Sequence, residues 1–298
     1  MDVYQWVWLN GKLVKAVEAM VSVFDYGFLY GAGVFETIRC HNGNPLLWDA
    51  HMQRMMVALN ELGFPRDFNP NELRTALHEL LSHNGHTNGA VRARITVTCG
   101  MGAPVGDLNS CTQPTIVLTS TPLPADFDER VARGLRGWLY RYPVVGEGHP
   151  LARYKTTAYL DKLLARRWAR QHGADEAILI NADGYVLEGA TTNIFIMRGD
   201  KIITPPVNMG LLPGTTRGFV LHIVRYLKLD VREAPITPID IHNSDGVFLT
   251  NAIIGIAPLI QLNGAQLKCT PLIEEIRRAF WEQLVTPCSD ARSTTPML

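Results

Sequence analysis

Glu188-Gly189-Ala190-Thr191-Thr192-Asn193-Ile194-Phe195 is the stretch on which the reading of this chain turns. It leads from a carboxylate through small and polar residues into apolar β chemistry, and Ile194 to Met197 reads as a strand. Upstream, Glu176 to Asn181 is a second strand. Asp183-Gly184 marks a turn, so Glu188 also reads as an ordinary residue after that turn. Downstream come Ile202-Ile203-Thr204 and then Leu212-Pro213-Gly214-Thr215-Thr216-Arg217, where Pro213-Gly214 announces a helix with Phe219, Ile223 and Leu227 on one face. A strand from Gly246 to Thr250 and a helix from about Pro271 to Leu284 follow. A polar tail lies beyond Pro287.

Working towards the N-terminus, a helix is expected from about Thr156 to His172, preceded by a Gly/Pro-rich loop to Pro150 and a strand from Gly137 to Arg141. Thr121-Pro122-Leu123-Pro124-Ala125-Asp126 suits neither a central strand nor a helix interior, so the domain linker is placed there. Ahead of it, Val3 to Leu9 and Lys12 to Val14 flank Asn10-Gly11, the signature of a type I′ hairpin. Val34 to Cys40 and Pro45 to Leu47 repeat that arrangement. Met52, Met56, Leu59 and Leu62 recur at helical spacing behind Asp49, a candidate cap. Leu73, Leu77, Leu80 and Leu81 mark a second helix from about Asn71 to Ser82. Val91 to Cys99 and Pro114 to Ser120 return to strand chemistry.

The chain has 298 residues, 47% of them hydrophobic and 19% charged, enough for about two domains. Its 28 Lys plus Arg balance 28 Asp plus Glu, so no net field recruits nucleic acid or membranes. The apolar run Ala252 to Ile260 is far shorter than the roughly 20 residues that span a bilayer. Residues Met1 to Lys15 lack the features of a signal peptide. A cytoplasmic protein is expected. Cys40, Cys99, Cys111, Cys269 and Cys288 are scattered without a C-x-x-C pair, which points to reduced structural residues and no metal site.

Gly31-Ala32-Gly33 and Gly100-Met101-Gly102 do not complete G-x-G-x-x-G, and phosphate-loop, nucleophile-elbow and zinc-protease motifs are absent from the sequence. The lysines are few: Lys12, Lys15, Lys155, Lys162, Lys201, Lys228 and Lys268. Lys162 and Lys228 fit polar helix faces, and the others except Lys155 fall in turns or polar sequence. Lys155 lies where a loop enters a helix, in Arg153-Tyr154-Lys155-Thr156-Thr157. Desolvation there would favour a neutral amine able to form an imine, although a solvated lysine fits the position as well.

The stretch at Glu188, together with Ile202 to Thr204 and Leu212 to Arg217, resembles the signature of the class IV (fold type IV) pyridoxal-phosphate aminotransferases. Phe24-Asp25-Tyr26-Gly27-Phe28-Leu29-Tyr30-Gly31 through Val34-Phe35-Glu36-Thr37-Ile38-Arg39 resembles the family's first-domain motif. His51-Met52-Gln53-Arg54-Met55 resembles its H-x-x-R-[LM] helix. Thr215 departs from the usual aliphatic residue. The resemblance covers most of the chain and implies a two-domain α+β / α/β fold. A small α/β domain at 1–120 and a linker at 121–128 would precede a larger domain at 129–286 with a pseudo-barrel β core, then the tail at 287–298.

By the same resemblance, Lys155 forms the internal aldimine with pyridoxal phosphate and shuttles a proton, and Glu188 holds the ring nitrogen. The phosphate falls to Arg54, to Thr215 and Thr216 at a helix N-terminus, and to the loop Thr250-Asn251-Ala252. Tyr159 stands beside the cofactor, expected one helical turn after Lys155. Tyr30, Phe35 and Thr37 line the substrate side, and a loop around Tyr30 completes the site of a partner in a homodimer. Singly, Arg54 also fits a surface helix, Thr216 a cap and Tyr159 a core position.

The resemblance implies transamination between an amino acid and a 2-oxo acid, with branched-chain L-amino acids, D-amino acids or (R)-amines as donors. The alternative on the same scaffold is a lyase that releases pyruvate and 4-aminobenzoate from 4-amino-4-deoxychorismate. Thr37, and Gly255 within Thr250 to Pro258, lean towards the lyase. Cys99 to Gly106 lacks the lyase's R-G-Y and the arginine of D-amino acid enzymes. Transamination is favoured as the family's common activity.

Overall fold

The computed structural model describes residues 5–104, 106–144 and 149–285. The expected tail at 287–298 and the first residues of the opening strand lie outside that description. The chain divides into two compact units, Met1–Pro124 with Tyr154–Tyr159, and Ala125–Arg153 with Leu160–Leu298.

The first unit runs β1 (Trp6–Leu9), β2 (Lys12–Lys15), α1 (Tyr26–Tyr30), β3 (Gly33–His41), β4 (Asn44–Pro45), α2 (Trp48–Glu61), α3 (Pro70–His83), β5 (Ala90–Thr98) and β6 (Thr115–Pro122). Its sheet has the order β2-β1-β6-β5-β3-β4 with every pairing antiparallel. Alternation decides which face is covered: Val34 and Ile38 of β3, with Val91, Ala93, Ile95 and Val97 of β5, pack against Met52, Met55 and Leu59 of α2 and Leu73, Leu77 and Leu80 of α3. Asn10 and Gly11 both take positive φ, as the type I′ turn requires.

Three local expectations are corrected. Asp49 does not cap α2; Leu47 holds that position in a left-handed conformation, and Asp49 lies in the first turn, where a carboxylate still suits the helix dipole. β6 continues through Pro122, which pairs with Val91 at the strand's end, where a missing N–H costs little. Thr156 does not begin a helix. The segment Tyr154–Tyr159 lies beside β3 and pairs with it at an isolated β-bridge, Thr156 to Val34, with Phe35 N donating to Lys155 O (2.9 Å) and Thr157 N to Gly33 O (2.8 Å). Two β-branched threonines suit that pairing, and Thr157 Oγ1 adds a bond to Gly31 O at 2.7 Å.

The second unit runs α4 (Phe127–Ala132), β7 (Leu135–Leu139), α5 (Leu160–Gln171), β8 (Glu176–Ile180), β9 (Val186–Gly189), β10 (Asn193–Arg198), β11 (Lys201–Thr204), α6 (Thr215–Tyr226), β12 (Asp230–Glu233), α7 (Pro238–His242), β13 (Gly246–Asn251), β14 (Gly255–Leu262), β15 (Ala265–Gln266) and α8 (Pro271–Val285). The sheet order is β12-β11-β10-β13-β14-β7-β8-β9, with β15 on β14. β7 is parallel to β8 and β14, and β11 to β12. Gly189 N donates to Thr192 O at 2.7 Å, which brings edge strand β9 beside the start of β10 and curls the sheet.

Both faces of β10 and β13 are covered. Phe195, Met197 and Phe248 pack with Val220 and Ile223 of α6 and Ile276 and Phe280 of α8, while Ile194, Ile196, Val247 and Leu249 meet Ile178, Ile236, Ile241 and Leu259. Burial on both sides explains why these strands read as continuous apolar runs. Strands β9 and β14 emerge only in the structure, and β7 begins at Leu135 ahead of its expected start. Among the described residues no helix is long and apolar enough to cross a membrane.

Candidate active site

In the first unit, residues on neighbouring positions of β3 serve opposite faces. Glu36 points to α2 and is 1% exposed. There Arg54 grips it with two bonds, Nε to Oε1 (2.8 Å) and Nη2 to Oε2 (2.6 Å), and His51 Nδ1 donates to Oε2 at 2.7 Å. Burial by itself would raise the Glu36 carboxyl, but Arg54 and His51 outweigh it and hold the group at about 2. Burial, helped by the Arg54 and Lys155 charges, pushes the His51 imidazole below its usual range against the pull of Glu36. Arg54, placed by the sequence on a phosphate, is therefore a buried and rigidly oriented guanidinium.

On the other face of β3, Phe35 collects three side chains. The Lys155 Nζ stands 4.7 Å from its ring centroid, the Tyr159 ring meets it edge-on at 5.4 Å, and the Arg94 guanidinium of β5 lies 3.7 Å above it. Lys155 and Tyr159 thus meet without the helical turn expected to join them. Thr37 pairs with Arg94 in the β3–β5 register and is half-buried. Tyr30, on α1, is 56% exposed. The turn into α1 is fixed by buried Asp25, which accepts from Gly27 N, Thr98 Oγ1 and Thr115 Oγ1.

In the second unit, Glu188 lies on β9, not in a turn, and is 6% exposed. Lys162 Nζ of α5 reaches its Oε1 at 2.6 Å, and Leu212 N and Asn193 Nδ2 approach Oε2 at 3.2 and 3.4 Å. Asn193 Nδ2 also donates to Leu212 O at 2.9 Å. Its Oδ1 packs so closely on Gly214 that a Cβ there would stand 2.0 Å away, so a larger residue before α6 would have to displace the Asn193 side chain. Thr215 and Thr216 open α6 and are buried, and Gly214 offers no side chain to cap them. Thr250 faces Asn193 across the β10–β13 pairing. Its buried Oγ1 has no hydrogen-bond partner among the described residues. Asn193 is thus the node that gathers Glu188, the start of α6 and Thr250.

The Asn251 side chain organises the loop in which the phosphate residues were expected. Its Oδ1 accepts from Ile253 N and Ile254 N, both at 2.9 Å, and its Nδ2 donates to Thr191 O, so it shapes the turn that holds half-buried Ala252. Glu176 of β8 holds Thr191 from the other side through Thr191 N and Oγ1.

The sequence reading gave no role to Glu36, His51, Arg94, Lys162 or Asn193. Signals for some were present. Glu36 shares the apolar face of Val34 and Ile38, and a buried charge needs partners such as those that His51 and Arg54, three apart on one helix face, provide. Lys162 sits in the first turn of α5, where a cation opposes the helix dipole.

A family model described as Amino-transferase class IV matches residues 33–262, well over half of the chain. The chain belongs to the class IV aminotransferases. Among its relatives, a putative branched-chain-amino-acid aminotransferase from Methanocaldococcus jannaschii is 33% identical over 87% of this chain and 88% of its own length. An aminodeoxychorismate lyase from Bacillus subtilis is 29% identical over 86% of each. A crystal structure of the branched-chain aminotransferase from Thermoproteus uzoniensis with norvaline superposes with a TM-score of 0.87, 29% identity, and coverage of 94% of this chain and 95% of that one. The fold type IV architecture implied by the resemblance is the one observed. Class IV aminotransferases depend on pyridoxal phosphate.

The second unit fits that cofactor on its own terms. A buried carboxylate, a helix N-terminus with no side-chain cap at Gly214 and a buried hydroxyl with no hydrogen-bond partner among the described residues suit a ring N–H and a phosphate.

Proposed function

We propose that this enzyme binds pyridoxal phosphate and transfers the amino group of an amino acid to a 2-oxo acid, with Lys155 as the imine-forming lysine. The observation that carries the reading is the Asn193-centred cluster, which presents buried Glu188 and the donors of α6 and Thr250 within one unit. When bound, the cofactor supplies a carbonyl for imine formation and an electron sink for the substrate's Cα–H bond.

The chain's own residues do the rest. Lys155, beside Phe35 and Tyr159, would take the proton from the substrate's Cα and deliver it to the C4′ carbon of the bound cofactor, the shift that moves the amino group off the substrate. Glu188 would hold the ring nitrogen in its charged form, and Thr215, Thr216, Thr250, Asn251 and Ala252 would serve the phosphate through backbone N–H groups and hydroxyls. Arg54, locked by Glu36 and His51, adds a fixed positive charge for the same phosphate. Arg94 offers a cation to a substrate carboxylate on the Phe35 face, where Thr37 sets the room for the substrate side chain. Tyr30 serves a second copy of the chain: Met20, Val23, Phe24 and Phe28, just ahead of it in sequence, are exposed, with Met20 at 80% and Phe28 at 73%, apolar surface suited to a homodimer. Sedimentation showing only active monomer would exclude that assembly.

The lyase reading has one observation behind it. Gly255 has φ +62°, and a Cβ there would stand 2.6 Å from Trp281, so a larger side chain at this place in the loop would strain the backbone and displace the Trp281 ring. The deciding experiment mixes cofactor-loaded protein, without keto acid, with L-leucine, D-alanine or 4-amino-4-deoxychorismate. Loss of the visible imine band and growth of a pyridoxamine band near ~330 nm with an amino acid establishes transamination and names the donor. Fluorescent 4-aminobenzoate with the imine band unchanged establishes the lyase.

A further inference from the structure

Lys162 has no part in the mechanism above, yet it makes the shortest contact to Glu188. Its Nζ lies 2.6 Å from Oε1, and the two side chains are 21% and 8% exposed. A lysine in the first turn of a helix faces a dipole of its own sign, so its place is set by the carboxylate rather than by α5. The remaining neighbours leave the carboxylate orientation little freedom: Leu212 N and Asn193 Nδ2 take Oε2. The other charged groups nearby are engaged elsewhere. Asp161 accepts from Lys162 N, and Glu176 of β8, under the influence of Arg166, is turned to Thr191.

We propose that Lys162 is a positioning residue that shares Glu188 with the cofactor's ring nitrogen and thereby lowers the proton affinity of that nitrogen. The inference rests on the reading of Glu188 given above. A carboxylate offers about four acceptor positions. Two on Oε2 and one on Oε1 are occupied, which leaves one on Oε1 for a ring N–H. Two cations served by one carboxylate stand within roughly 6 Å of each other, close enough for each to disfavour the other. In the cofactor-free protein the same ammonium compensates the charge of a buried carboxylate. Lys162 therefore keeps Glu188 in place before loading and moderates its hold on the ring afterwards.

The test loads wild type, Lys162→Gln, Lys162→Met and Lys162→Arg with ring-¹⁵N-labelled pyridoxal phosphate and follows the ring nitrogen by NMR across pH. Gln keeps a donor without the charge, Met is a second neutral variant, and Arg restores the charge. The titration midpoint is expected to rise by about one pH unit in both neutral variants and to return towards the wild-type value in Lys162→Arg. Coincident midpoints in wild type and the neutral variants overturn the proposal. So does a wild-type ring nitrogen that stays protonated throughout, or an Arg variant that titrates like the neutral ones. Failure of the underlying reading looks different: Glu188→Gln would then leave the ring-nitrogen signal unmoved, or wild type would take up no cofactor.

Discussion

Glu36→Gln removes one negative charge from the buried Glu36–His51–Arg54 cluster while nearly preserving its shape. The Glu36 carboxyl lies at about 2 against an ordinary 4.5, because Arg54 and His51 overcome the opposing effect of burial. That drop corresponds to about 3 kcal/mol of stability in the ionised form. The folded value lies below the unfolded one, so the stabilisation is complete above pH 4.5 and disappears as the pH falls from there towards 2, with about 2 kcal/mol lost by pH 3. A second route gives a similar size: removing one partner of a buried ion pair costs roughly 3–5 kcal/mol, because Arg54 is left uncompensated. The assay is urea unfolding of cofactor-free wild type and variant from pH 7 to pH 3. Hydrogen exchange in peptides from β3 and β5 assigns the transition to this unit. The variant is expected to be about 3 kcal/mol less stable at pH 7, with the gap narrowing to about 1 kcal/mol at pH 3. A gap below about 1 kcal/mol at pH 7, or one independent of pH, would refute the cluster's proposed energetics.

Lys155→Ala is expected to abolish turnover and the visible imine band while cofactor-free protein keeps its melting temperature; residual turnover would remove Lys155 from the reaction. Asn193→Ala breaks the bond to Leu212 O and frees the backbone before α6, with an expected loss of about 1–3 kcal/mol in thermal unfolding and at least a tenfold weaker hold on pyridoxal phosphate. Unchanged cofactor affinity in that variant would show that Asn193 does not organise the site. Glu176 behaves oppositely to Glu36. Burial raises its carboxyl despite Thr191 and Arg166, so its contribution to stability falls as pH rises through and above the ordinary carboxylate value. Glu176→Gln should flatten that decline in hydrogen exchange of β8 and β10 peptides, and an identical pH profile in wild type and variant would count against it.

The sequence by itself determined what depends on local spacing and residue type. Asn10-Gly11 dictates the first hairpin, the four-residue recurrence of leucines dictates α3, and Pro213-Gly214 dictates where α6 begins. Lys155, Glu188 and Arg54 stand out by residue type at motif positions, which makes the family legible in the sequence alone. What the tertiary structure decided concerns partners distant in sequence. Glu188 became a strand residue because β9 pairs with β8, and the segment from Lys155 to Tyr159 stays out of a helix because its backbone bonds to β3. Residues that read as surface or motif letters acquired roles because burial demands compensation: Glu36 needs Arg54 and His51, and Glu188 needs Lys162. Periodicity carries no information about which buried charge meets which counter-charge, since that choice is made by side chains brought together only when the sheet closes over them.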